Sequence, residues 1–256
     1  MKKTLLTLSL LLMIYSVKAQ IGSLSLSLGL PQNEFRENTD ATGFGGDLSL
    51  AFPFQKGVPI FLGVDLNYMI YGLNSQDEVL SAQITTSSGQ AIGNRIDIPL
   101  RITNTNSLFG THAFIRAQAP FSGIQPYAEA LFGFRYISTN VKIRDLDGRW
   151  TNDQDDDILV RETVLDDWIL SYGFGGGFFI KIGPAIYLDL RANFFRGQRA
   201  KYFDGTDTES WNIEFSGDPT DFNPTNPDGD QLSFETEARE STTDLLVLKF
   251  GVGFKF

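Results

Sequence analysis

The sequence predicts an all-β chain, an eight-stranded antiparallel up-and-down transmembrane β-barrel with long extracellular loops. Three observations carry that expectation. Apolar residues recur at every second position in eight separate segments, each long enough to cross a hydrocarbon layer when tilted. The connections between these segments alternate between short and long. The last segment, from Thr242 to Phe256, puts Leu246, Leu248, Phe250, Val252, Phe254 and Phe256 on one face and ends on an aromatic residue.

Residues 1–19 read as a secretory signal. Lys2 and Lys3 form a positive start, Leu5 to Tyr15 an apolar run, and Val17-Lys18-Ala19 a small-residue cleavage site. The mature domain is expected to run over 20–256. The Leu5 to Tyr15 run is too short to span a bilayer, and no other stretch reaches the roughly 18 to 20 apolar residues that a membrane helix needs. The chain has no cysteine, so an exported form must take its rigidity from something other than disulfides, and a closed hydrogen-bonded barrel supplies it.

The first strand alternates Leu24, Leu26, Leu28 and Leu30 with Ser23, Ser25, Ser27 and Gly29. Pro31 to Thr42 is a polar connection. In the second strand Phe44, Leu48, Leu50 and Phe52 face away from Gly45, Asp47, Ser49 and Ala51. A tight turn over Gln55 to Pro59 leads to the third, where Leu62, Val64, Leu66, Tyr68 and Ile70 oppose Gly63, Asp65, Asn67, Met69 and Tyr71. Leu73 to Thr105 is polar, with alternation returning at Ile96, Ile98, Leu100 and Ile102, so part of it is expected to continue as a hairpin above the membrane.

The fourth strand, about Asn106 to Gln118, has apolar residues on both faces. Phe109, Ala113 and Ile115 are set outward, His112 and Arg116 inward. The fifth opposes Ala128, Ala130, Phe132, Phe134 and Tyr136 to Glu129, Gly133 and Arg135. Ser138 to Leu165 reads as a long charged loop. The sixth strand sets Trp168, Leu170, Tyr172, Phe174 and Phe178 against Ser171, Gly173, Gly175 and Gly177. The seventh sets Ile186, Leu188, Leu190, Ala192 and Phe194 against Tyr187, Asp189, Arg191 and Asn193. Gly197 to Ser241 is the longest connection.

The formal charge of −10 makes nucleic acid an unsuitable partner. The four long connections carry −2, −1, −3 and −8 in chain order, so the net charge sits outside the strands. Within the strands, the inward charges Asp47, Asp65, Arg116, Glu129, Arg135, Asp189, Arg191 and Lys249 balance in sign. Ions in a narrow lumen need partners, because desolvating an unpaired one is costly. An ion-paired plug is therefore expected, since side chains can fill an eight-stranded barrel whereas aqueous channels take about sixteen strands.

Two further sites are weighed. Asp145, Asp147, Asp153 and Asp155 offer hard oxygen ligands around Gly148, which suits calcium but lacks the full spacing of a calcium loop and its closing Glu. No other cofactor is indicated. His112 is the only histidine and rules out a multi-histidine metal centre.

The run Lys249-Phe250-Gly251-Val252-Gly253-Phe254-Lys255-Phe256 resembles the C-terminal signature of bacterial outer-membrane β-barrel proteins. Across the mature chain the pattern is similar to the small OmpA/OmpX-like barrels, without a following periplasmic domain. The resemblance implies that the barrel-assembly machinery reads Phe250, Val252, Phe254 and Phe256. It also implies a surrounding of outer-membrane lipid and lipopolysaccharide, with both barrel ends in the periplasm. The expected role is structural or one of cell-surface interaction through the acidic loops, with no enzymatic activity. The alternatives are a narrow pore or accessory subunit of a transport complex, and a lipid-modifying enzyme pairing His112 with Ser107 or Ser171.

Overall fold

A computed structural model describes residues 21–39, 41–82, 96–147, 158–204, 213–215, 232–234 and 237–256. The expected signal, residues 1–19, lies outside the described residues. Eight long strands form the wall: β1 (Ile21–Pro31), β2 (Gly43–Pro53), β3 (Ile60–Ala82), β4 (Ile96–Gln118), β5 (Ile124–Asp145), β6 (Ile158–Lys181), β7 (Ile186–Gly197) and β12 (Leu245–Lys255). They close in the order β1-β12-β7-β6-β5-β4-β3-β2, every neighbour antiparallel. The all-β fold class and the eight-stranded barrel are therefore both present. Closure matters physically, because it leaves no unpaired sheet edge around the ring.

Side-chain parity follows the period-two reading. In β1, Ser23, Ser25 and Ser27 are buried while Leu24 and Leu26 are exposed. In β12, Lys249 and Val247 point in, and Phe250 and Phe254 point out. The doubly apolar β4 resolves in the same way, with Leu108 and Phe114 inside beside His112 and Arg116. Room for the inner rings comes from glycine. A Cβ on Gly177 would stand 2.6 Å from the Tyr127 hydroxyl, and one on Gly63 would stand 2.2 Å from Phe114.

Two of the long connections differ from the sequence reading. Ser138 to Leu165 was expected as a loop, yet β5 runs on to Asp145 and β6 begins at Ile158. Likewise β3 and β4 pair as far as Ala82 and Ile96, extending the expected hairpin. Thus β3 to β6 span 22 to 24 residues each, against 11 or 12 for β1, β2, β7 and β12. Half the wall therefore rises as a four-stranded sheet beyond the other half. Without lipid on the outer side the alternation reverses its sense, with Leu100, Ile102, Val141 and Ile143 buried on the inner face and Arg101 and Arg144 exposed on the outer one.

The polar connection after β1 holds a short helix, α1 (Asn33–Asn38). Within the last connection β8 (Arg199–Tyr202) pairs with β11 (Arg239–Thr242), and β9 (Ile213–Phe215) with β10 (Leu232–Phe234).

Candidate functional site

All eight charged residues expected in the lumen are buried and share the inward parity of their strands. Seven of them form one chain of alternating sign. Lys249 Nζ donates to Asp47 Oδ2 at 2.5 Å and to Asp65 Oδ1 at 2.7 Å. Asp65 also takes Arg191 Nη1 at 3.0 Å. Arg191 Nη2 reaches Asp189 Oδ2 at 2.7 Å, and its Nη1 lies 3.8 Å from Glu129 Oε1. Glu129 Oε2 accepts both Nε and Nη2 of Arg116, at 2.9 and 2.7 Å. The chain links β2, β12, β3, β7, β5 and β4, so it crosses the lumen and does not follow one pair of neighbouring strands.

Arg135 stands apart from the other seven. Its Nη1 donates to the Thr243 carbonyl at 2.9 Å and its guanidinium lies 4.5 Å from the Phe195 ring centroid. No carboxylate lies within ion-pairing distance of it among the described residues. A cation that is buried this way leans on a carbonyl and a π face for its stabilisation.

Several members of the network were not singled out from the sequence. Arg191 Nε donates to the Tyr127 hydroxyl at 3.0 Å, and that hydroxyl donates to Asp189 Oδ1 at 2.6 Å. Asn193 Nδ2 donates to Glu129 Oε1 at 3.0 Å, and Ser23 Oγ accepts from Arg191 at 3.2 Å. Arg116 is sandwiched among rings, 4.3 Å from the centroid of Tyr127, 4.7 Å from Phe114 and 5.4 Å from Phe179. The available signal was parity, since Tyr127 and Glu129 lie two apart on one strand.

His112 Nε2 lies 3.1 Å from Ser171 Oγ, and its ring packs on Phe195 at 4.7 Å. Both residues are buried in the lumen. Ser107 has the opposite parity on β4 and bonds Ser138 at 3.0 Å, so it does not meet the histidine.

Above the network the mouth is filled by a second cluster. Phe35 of α1, 1% exposed, meets Tyr202 edge-on at 5.1 Å and Tyr71 at 6.1 Å. Thr39 donates to Asp204 at 2.5 Å, and Asn106 donates to the Phe203 carbonyl at 3.0 Å. Arg199 bridges Glu34 and Glu240 at 3.0 and 3.2 Å, and Arg239 bonds the Asn38 carbonyl. Helix α1 and the β8–β11 hairpin are thereby tied to each other across the opening.

Of the acids considered for calcium, Asp145 is buried and accepts the Asp147 backbone N–H at 2.9 Å, while Asp153 and Asp155 lie outside the described residues. No group of three or more His, Asp or Glu able to hold a metal occurs among the described residues.

The outer face is the inverse of the lumen. Leu24, Leu26, Phe44, Phe132, Phe174 and Phe250 are exposed around the wall. Tyr68, Phe109, Tyr136 and Trp168 stand in successive register on β3, β4, β5 and β6, an outward row of rings suited to a membrane interface. An apolar exterior of this extent has no stable place in water. The molecule is a transmembrane β-barrel. On its closing strand Phe250, Val252 and Phe254 face out, and Phe256, just past the strand's end, is 81% exposed.

No protein-family model matches the chain, and no curated protein matches it in sequence. Solved structures of similar architecture include Neisserial surface protein A, at 11% identity with a TM-score of 0.38, covering 92% of this chain and 96% of that one. Another is Ail, the attachment invasion locus protein of Yersinia pestis, at 9% identity and a TM-score of 0.37, covering 93% and 99%. A third is a major outer membrane protein from Thermus thermophilus, at 12% identity and a TM-score of 0.41, covering 92% and 99%. At these values nothing about the role of this barrel follows from them.

Proposed function

We propose that the barrel resides in the outer membrane as a structural or cell-surface interaction protein whose lumen is plugged by ion pairs and does not conduct. The observation that carries this reading is the alternating chain from Asp47 to Arg116. A permeating ion would have to displace buried pairs whose disruption costs several kcal/mol each. The Phe35–Tyr71–Tyr202 cluster adds a second obstruction above it.

Ile21 pairs with Lys255 at the end that carries the short turns, and this end is assigned to the periplasm. The raised sheet and the cap then meet the exterior, where the acidic connections would contact a cationic or protein partner. His112 and Ser171 are read as a structural pair, because both are enclosed by the wall and face no lipid. The barrel is accordingly read as non-enzymatic.

Planar-bilayer recording on the folded protein tests the central point. No unitary current is expected, and reproducible single-channel steps would overturn the plug in favour of a narrow pore. For the enzymatic alternative, His112→Ala is expected to leave outer-membrane lipid composition unchanged. Calcium binding at the 145–155 acids is tested by calorimetry at millimolar calcium, and an absence of heat would remove it.

A further inference from the structure

The lipid-facing surface does not end at the ring row of Tyr68, Phe109, Tyr136 and Trp168. The outward parity of β3 to β6 continues upward along the raised sheet, and its composition changes. The next rows are Ile70, Ser107, Ser138 and Asp166, then Leu73, Thr105, Asn140 and Thr163. Above these stand Ser75, Thr103, Lys142 and Arg161, then Asp77, Arg101 and Arg144. Lys142 and Arg144 follow Tyr136 by six and eight residues on β5. At about 3.4 Å per residue and the usual tilt, they lie roughly 15 to 20 Å above the rings.

This face carries like charges in direct opposition. Arg101 is the register partner of Arg144, and Lys142 that of Arg161. Like charges placed opposite each other destabilise an antiparallel pair unless an anion lies between them. Arg101 is answered within the chain, because Asp77 accepts its Nε at 2.6 Å and its Nη2 at 2.8 Å. That bond holds the Asp77 carboxyl below its ordinary range. Lys142, Arg144 and Arg161 have no carboxylate within ion-pairing distance among the described residues. Among the described residues the other acids of this face stand at its margins, Asp166 next to the ring row and Asp97 near the tip. Three cations without an ion-pair partner among the described residues thus cluster on one face of an acidic chain, flanked by the hydroxyls and amide of Ser75, Thr103, Asn140 and Thr163.

We propose that the outward face of the raised sheet is a binding surface for the phosphate-bearing headgroups of lipopolysaccharide, held by Lys142, Arg144 and Arg161. The choice of occupant follows from continuity and charge. The surface is the upward extension of the face that meets lipid, at a height where the glycolipid's phosphorylated saccharide surrounds the wall. Phosphate oxygens can accept from two guanidinium groups and an ammonium at once, and the neighbouring hydroxyls suit sugar. This rests on the outer-membrane placement proposed above.

The test uses the full chain folded in detergent micelles and titrated with purified lipopolysaccharide, either intact or chemically dephosphorylated. The wild type is expected to bind the intact form, with affinity falling as salt rises. Dephosphorylation, and the triple variant Lys142→Gln/Arg144→Gln/Arg161→Gln, should each weaken binding about tenfold or more. Asp77→Asn frees Arg101 and should strengthen it, which keeps a readout in the opposite direction should the triple variant fold poorly. Binding by the triple variant within about twofold of wild type, or indifference to phosphate removal, would overturn the site. Insertion into phosphatidylcholine vesicles is scored separately. A chain that fails to insert refutes the membrane placement and the site together, while one that inserts but ignores the phosphates refutes the site alone.

Discussion

Replacing Arg191 with Met removes the cation on which the lumen network converges. Its guanidinium touches Asp65 at 3.0 Å, Asp189 at 2.7 Å, the Tyr127 hydroxyl at 3.0 Å and Ser23 at 3.2 Å. The loss does not fall evenly. Asp65 keeps Lys249 at 2.7 Å, and Glu129 keeps Arg116 at 2.7 Å. Asp189 loses its ion pair and keeps the Tyr127 hydroxyl. A fully buried carboxylate without a cation costs about 3–5 kcal/mol when its partner is removed. Met has nearly the length of the Arg stem, so cavity formation adds little. Equilibrium urea unfolding in lipid vesicles, followed by tryptophan fluorescence, measures the difference. The double variant Arg191→Met/Asp189→Asn should recover part of the loss, because it removes the stranded charge. A loss below about 1 kcal/mol, the range of exposed pairs, would refute the reasoning. So would a double variant no more stable than the single one.

Phe35→Ala should loosen the cap while leaving the wall intact, since Phe35 packs on Tyr71 and Tyr202 and not on barrel strands alone; limited proteolysis should then cut within 197–241 before the strands unfold. Phe256→Ser should leave unfolding in detergent within about 0.5 kcal/mol of wild type, as for exposed sites generally, yet lower the yield of assembled barrel in cells. Asp77 should titrate below the ordinary carboxylate value of 3.8, because Arg101 donates to its charged form. Its contribution to the raised sheet is then present above the ordinary carboxylate range and lost as pH falls through the depressed value. An NMR titration that places its midpoint at or above 3.8 would contradict the Arg101 contact.

The eight membrane-crossing segments, their inward and outward faces and the ring closure were legible in the sequence because period two is imposed locally. Each residue on a strand faces one way or the other, and lipid on one side forces an apolar residue at every alternate place. That is why Asp47, Asp65 and Lys249 could be set inside from their neighbours alone. Only the tertiary structure decided who meets whom. Lys249 on β12 reaches Asp65 on β3, with β1 and β2 between their strands, and such reach depends on shear and lumen width, which no local pattern encodes. The raised sheet was partly hidden for a related reason. Beyond the lipid the sense of the alternation reverses: Ile137, Val141 and Ile143 of β5 are buried on the inner face while Lys142 and Arg144 turn outward, so a reading keyed to an apolar outer face loses the strand where its ladder continues. A charge sum of −3 over 138–165 likewise concealed three bases on one face, because a sum has no parity and a strand does.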